Sequence, residues 1–153
     1  MNESVPSQWN CLKADTALRR ERVARQLRPE GKRISPQDIV QLLELVIEPH
    51  DRVCIEGNNQ KQAQVLARSL SSVDPGRIHG LHMVQSAVSI DAHLDVFEKK
   101  IARKLDCAYA GPQRGRLAAM VSRGAVELGA IHTYLELYAR YFVDLTPRVA
   151  LIA

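Results

Sequence analysis

Val53-Cys54-Ile55-Glu56-Gly57-Asn58-Asn59-Gln60 is the stretch on which the fold turns. Val53-Cys54-Ile55 is a short apolar run with two β-branched residues, suited to a buried strand. Gly57-Asn58-Asn59 supplies turn chemistry, and Gln60 to Leu70 then reads as a helix. Strand, turn and helix make half of a βαβ unit, so the fold depends on whether the pattern repeats.

It does repeat downstream. Asp74-Pro75-Gly76 marks a turn, followed by a strand within Leu81 to Val88. Asp91 to Lys104 is expected as an amphipathic helix, with Leu94, Phe97, Ile101 and Leu105 on one stripe. Cys107-Ala108-Tyr109 then reads as a short strand closed by Gly111-Pro112, and Gln113 to Ser122 as a helix stopped by Arg123-Gly124. Val126 to Ala130, Thr133 to Tyr141 and Val149 to Ala153 continue as strand, helix and strand. Short strands alternating with helices predict an α/β fold: an open, mainly parallel sheet with helices on both faces.

Upstream, Ser35-Pro36-Gln37-Asp38 is a strong helix start. Ile39, Leu42, Leu43, Val46 and Ile47 follow at helical spacing until Pro49. Residues 1–33 stand apart as a basic N-terminal arm with one helix, Asp15 to Leu27; residues 34–153 form the α/β domain. The arm holds eight Lys/Arg against four Asp/Glu, whereas the domain holds thirteen of each. The whole net charge of +4 therefore resides in the arm, which argues against a nucleic-acid-binding body. Arg19, Arg20, Arg22, Arg25 and Arg28 could grip an acidic partner, but charge runs are usually solvated faces, and a helix lying on the surface is the simpler reading.

The 153 residues suit one domain, and no apolar stretch approaches the ~20 residues that span a bilayer. The first residues lack an apolar signal-peptide core. Cys11, Cys54 and Cys107 are odd in number, widely spaced and without a C-x-x-C pair, which fits reduced thiols in a cytoplasm. Val149 to Ala153 stops inside a strand pattern. The expectation is a domain incomplete at its C-terminus, the first part of a longer protein, whose unpaired edge favours self-association.

Open parallel sheets bind ligands at the carboxyl ends of their strands, where strand order reverses. That rule selects Glu56-Gly57-Asn58-Asn59-Gln60-Lys61, Gln85-Ser86, Gly111-Pro112-Gln113 and Ile131-His132-Thr133. In the first loop, Gly57 permits close backbone approach and Asn58 and Asn59 offer amide donors to a phosphate, carboxylate or oxyanion. A tight turn with an Asn cap explains the same residues, and both readings stay open. The loop is neither a G-x-G-x-x-G fingerprint nor a P-loop. His132 reads first as a cap or packing residue. His79 and His82 lack a third ligand, so no metal is expected. Cys54 and Cys107 read as core thiols, and no nucleophile elbow occurs.

Trp9-Asn10 before the Arg-rich helix, Val53 to Ala63, Leu81-His82-Met83-Val84-Gln85-Ser86, Gly111-Pro112-Gln113 and Gly129 to Leu137 stand out as whole phrases. Together they resemble the N-terminal part of the malonate decarboxylase alpha subunit family, a relative of the coenzyme A transferases. The resemblance implies a coenzyme A transferase-like fold and an acyl-carrier-protein transferase activity. Acetyl on a carrier thioester is exchanged for malonate, so that another subunit can decarboxylate the malonyl group. It also implies partners: an acyl-carrier subunit bearing a phosphoribosyl-dephospho-coenzyme A arm, further decarboxylase subunits, and malonate. By the resemblance Gly57, Asn58 and Asn59 take the place of the family's oxyanion loop, although the usual Gly-Gly-Phe wording is replaced; Gln60, Gln113 and His132, from the strand-end loops, join them as candidate thioester contacts. The catalytic glutamate of the relatives has no counterpart here and is expected beyond Ala153, so this segment alone would be inactive. The competing reading is a non-catalytic binding or subunit-assembly module docking through the arm.

Overall fold

The computed structural model describes residues 8–27, 29–57, 60–133, 135 and 149–152, with side chains from Asp15 onward. Its described elements are α1 (Gln8–Leu27), α2 (Ile39–Val46), β1 (Arg52–Ile55), α3 (Gln64–Leu70), β2 (Leu81–Ala87), α4 (Ala92–Glu98), β3 (Ala102–Tyr109), α5 (Arg114–Ser122), β4 (Glu127–Ala130) and β5 (Val149–Leu151). The strands form a five-stranded sheet in the order β4-β3-β2-β1-β5. Every neighbouring pair is parallel. The α/β class and parallel sheet expected from the alternation are therefore what the chain adopts.

From β1 to β4 the chain steps steadily in one direction. Parallel crossovers are almost always right-handed, so the intervening helices land on one face. Their apolar sides meet the strands there: Leu43 and Ile47 from the α2 end, Ala67 and Leu70 from α3, Leu94 and Phe97 from α4, and Leu117 and Met120 from α5 surround Val53, Ile55, Leu81, Met83 and Leu105. Each fully buried Leu or Ile contributes about 2 kcal/mol of hydrophobic stabilisation. The helix expected from Thr133 to Tyr141, and the covering expected on the second face, lie outside the described residues.

Several boundaries differ from the sequence reading; α1, expected from Asp15, starts already at Gln8. The helix expected to run from Asp91 to Lys104 ends at Glu98, and β3 begins at Ala102, well before Cys107. The stop is a Schellman motif: Ile101 N–H donates to Val96 O (2.9 Å) and Lys100 N–H to Phe97 O (3.1 Å), with Lys100 at φ +61°. The same motif ends α5, where Ala125 N–H donates to Met120 O and Gly124 N–H to Val121 O. There the left-handed residue is the expected glycine, Gly124 at φ +73°. The helix predicted from Gln60 starts only at Gln64, after Ala63 at φ +44°.

The basic arm is bound into the fold by ions. Arg19 is 7% exposed and Asp51 8%. The Arg19 guanidinium donates to Val46 O (2.6 Å) and to both carboxylate oxygens of Asp51, and it pairs with Asp15 (3.0 Å) and Glu48 (3.4 Å). Burial works against its charge, yet the hydrogen bonds to Asp51 and Asp15 outweigh that and hold its pKa above the ordinary value. Arg22 also reaches Glu48 (2.6 Å), and Arg25 pairs with Glu21 one turn away. The acidic groups gripped by Arg19 and Arg22 thus belong to the chain itself, at the corner before β1. Replacing Arg19 with Ala strands a buried carboxylate and should lower stability by roughly 3 kcal/mol. Arg22→Ala should cost under about 1 kcal/mol, as half-exposed pairs do. Urea denaturation of the two variants checks the contrast.

Candidate functional site

The strand order reverses at β1: β2, β3 and β4 lie on one side of it and β5 on the other. The crevice favoured for ligands in such sheets is therefore at the carboxyl ends of β1 and β5. The loop after β1, singled out above, leaves from that point.

Its root is fastened on both sides. Glu56 N–H donates to Leu151 O of β5 (2.9 Å), and Gly57 O accepts from Ala87 N–H of β2 (2.8 Å) and from the Ser86 hydroxyl (2.5 Å). Gly57 is required by contact. A methyl group there would collide with the Ala87 carbonyl oxygen and lie 3.1 Å from His93 Cε1. Glu56 is half-buried and lies 3.9 Å from Lys61 Nζ.

His93 braces the far end of this loop. It sits in the first turn of α4, 3% exposed, with Nε2–H donating to Gln62 O (2.7 Å) and Nδ1 accepting from Ser89 N–H (3.3 Å). These partners define the neutral tautomer. Burial pushes the imidazole below its ordinary value, and the bond to Gln62 only partly offsets this. Nothing in the sequence reading marked His93. The available signal was a histidine in the first turn after β2, where the rule for open sheets already pointed.

Gly57, Gln113 and His132 all lie at the carboxyl end of the sheet. Gln113 is half-buried in the 3-10 turn Gly111–Gln113 after β3, and His132 is exposed after β4. His132 is three strand spacings from Gly57, roughly 14 Å. Gln60 is exposed, while Asn58 and Asn59 lie outside the described residues. The strand carrying Gln85 runs on to Ala87, so Gln85 is a buried strand residue rather than a loop residue, at 2% exposure. It occupies an apolar pleat with Leu81 and Met83, a polar letter in an otherwise apolar alternation. Beside the 3-10 turn, Tyr109, Gly111, Pro112 and Arg114 line an open cavity of about 420 Å³.

The remaining candidates are structural in their contacts. His82 Nε2 meets the buried Asp106 carboxylate at 2.5 Å, whereas His79 packs edge-on against His50. Burial lowers the His82 pKa despite Asp106. Cys107 is 8% exposed, and burial followed by the Asp106 charge pushes its thiol up. It therefore stays a thiol near neutral pH, consistent with a core role.

An open parallel sheet with a glycine-rooted loop at its switch point defines the class: an α/β domain that presents its ligand groups on strand-end loops. Comparison with known proteins narrows this. Residues 8–153 match the family model described as malonate decarboxylase, alpha subunit, transporter, and the chain belongs to that family. It is 54% identical over 144 residues to the acetyl-S-ACP:malonate ACP transferase of Malonomonas rubra, covering 94% of this chain and 26% of that protein. Among solved structures it is similar to the Pseudomonas malonate decarboxylase hetero-tetramer in complex with malonate: TM-score 0.87, 50% identity, 95% of this chain and 26% of that one. The malonate decarboxylase alpha subunit of Acinetobacter baumannii is similar at TM-score 0.86 and 48% identity, over 93% of this chain and 26% of that one. The chain thus spans about a quarter of the length of these relatives.

Two outcomes follow from the site. Gly57→Ala should lower stability by about 1–3 kcal/mol, since a backbone carbonyl must give way; urea denaturation reads this directly. For His93, the folded pKa lies below the unfolded value of about 6.5, so the unfolded chain binds more protons in that window. Its contribution is intact above about pH 6.5 and is lost as pH falls toward the folded pKa. The melting temperature should therefore drop between pH 7 and pH 5, and His93→Gln should flatten part of that slope, with His82 supplying the rest.

Proposed function

We propose that this chain contributes the first portion of an acyl-carrier-protein transferase subunit, which exchanges acetyl for malonyl on the carrier thioester. The carrying observation is the loop rooted at Gly57, at the switch point of the sheet, in a chain 54% identical to a protein named for that exchange. The reaction class is nucleophilic catalysis: a carboxylate attacks the thioester carbonyl, an oxyanion forms, and the carrier thiolate leaves as the acyl anhydride is made. The thiolate attacks the enzyme's side of that anhydride, which expels acetate and leaves an enzyme thioester. Malonate displaces the thiolate to form a malonyl anhydride, and the thiolate then takes the malonyl group and frees the carboxylate. The glutamate that attacks is expected outside this sequence.

What the residues here supply is position and charge stabilisation. Gly57 brings backbone close to the reacting carbonyl, and Asn58, Asn59 and Gln60 follow it as donors to the oxyanion. Gln113 and His132 border the same end of the sheet for the longer reach of the carrier. The carrier's phosphoribosyl-dephospho-coenzyme A arm is substrate in this scheme. The cavity beside Tyr109 offers it an exposed ring, and Arg114 a guanidinium for phosphate. Partners are the acyl-carrier subunit and the other decarboxylase subunits, with malonate as co-substrate. No described helix is long and apolar enough to cross a membrane, and reduced, widely spaced cysteines suit a cytoplasmic setting. The assembly-module alternative loses its motive where Arg19 and Arg22 are already paired within the chain.

The test replaces Asn58 and Asn59 with Ala in the complete gene product, assembled with its carrier. Exchange of acetyl for malonyl should fall on the order of 100-fold, as loss of oxyanion donors does, while subunit assembly by gel filtration stays intact. Undiminished exchange would remove the loop from the mechanism.

A further inference from the structure

Another cavity, of about 720 Å³, opens at the amino end of the sheet, where β2, β3 and β4 begin. The length of β2 sets it roughly 20 Å from the crevice at the carboxyl end. Phe97 and Ala102, at 3% and 4% exposure, form its apolar floor with half-buried Ala125. Exposed Lys100, Arg103 and Arg123 stand around that floor, and one carboxylate, Glu98, lines it with them. The domain as a whole balances its charges, thirteen against thirteen. Here it does not.

Part of this charge has a structural reason. Arg103 pairs with Glu127 (2.7 Å), and Arg123 lies 3.6 Å from Glu98. Cations near a helix C-terminus also favour its dipole. At the end of α4, however, Lys99 already supplies that cation, and its ammonium donates to Ser71 O (2.7 Å). Lys100 makes no ion pair or side-chain hydrogen bond among the described residues.

The backbone of Lys100 makes the position more telling. It holds the left-handed place that closes α4, at φ +61°, whereas Gly124 holds the matching place after α5, at φ +73°. Both residues line the cavity. Glycine takes this conformation freely, and a side chain there is strained. Of two adjoining Schellman turns, the one without glycine is thus the one that brings an unpaired ammonium to the cavity.

We propose that this cavity binds an organic anion: Lys100 and Arg123 hold a carboxylate, sulfonate or phosphate head, and the apolar floor takes its hydrocarbon or aromatic body. An apolar lining with a few charged groups is the usual make-up of a small-molecule site. The long, exposed pair with Glu98 is weak enough for Arg123 to turn to a ligand. The site is separate from the acyl crevice and stands independently of the transferase reading.

Octanoate, octanol and acetate divide the ligand into head and body. Isothermal titration calorimetry on the complete gene product should show octanoate binding about 10-fold tighter, or more, than either octanol or acetate. Lys100→Gly should weaken octanoate about 10-fold, as loss of a charged contact does. Its ligand-free melting temperature should hold or rise, because glycine suits the turn, so that weaker binding is not a loss of folding. Arg123→Ala should weaken octanoate similarly. Octanoate bound no better than octanol or acetate would overturn the proposal. So would an octanoate affinity indifferent to Lys100→Gly, since the anion would then lie elsewhere.

Discussion

Everything at the carboxyl end of this sheet depends on how the last residues of β1 are held. Glu56 is tied through its N–H to β5 and Gly57 through its carbonyl to β2, so the loop leaves a strand fixed on both flanks. A parallel strand reaches such a position only when its neighbours arrive by crossovers of opposite direction, which is the reversal seen in the order β4-β3-β2-β1-β5. The glycine is the point where that arrangement becomes chemically useful. Without a side chain, two backbones touch, and the space a Cβ would take goes to the Ala87 carbonyl and the His93 ring.

The charge distribution takes on a different meaning once the fold is known. A basic arm followed by a neutral domain read most simply as a solvated surface helix, with a handle for an acidic partner as the alternative. Arg19 is instead buried against Asp51, with the more exposed Asp15 and Glu48 at its rim, and the arm stabilises the turn that launches β1. Asp51 also accepts from Glu48 N–H, so one carboxylate orders the corner and receives the guanidinium together. Charge counted along a sequence does not distinguish a guanidinium facing water from one facing its own carboxylates.

The sequence conveyed the α/β class and most element positions because period and turn chemistry were clean there. Gly124 announced the end of α5, as a glycine at a left-handed position should. Lys100 performs the same act for α4 with no such mark, so apolar spacing carried the predicted helix through Ile101 into what is β3. Ala63, also left-handed, hid the true start of α3 in the same way. At the site, Gly57 was legible because a single residue creates the contact. His93 was not, because its importance comes from burial beside a loop distant in sequence, and Gln85 was picked out only as a strand-end loop residue, whereas it is buried within β2. Gln85 is the instructive case: read by alternation it is a polar residue on the core pleat, a signal that becomes meaningful only when the strand is known to continue past it.

The order in which the chain is made gives β1 an unusual history. As synthesis proceeds, Arg19 leaves the ribosome before Glu48 and Asp51 exist to receive it, and β1 is complete long before Val149 arrives to cover its second edge. During that interval the nascent domain carries an uncapped basic helix and a bare parallel edge, the kind of surface on which holding chaperones and misassembly compete. The pairing that creates the ligand crevice is thus the last one described in the sheet to close, and the crevice is complete only once β5 has been made.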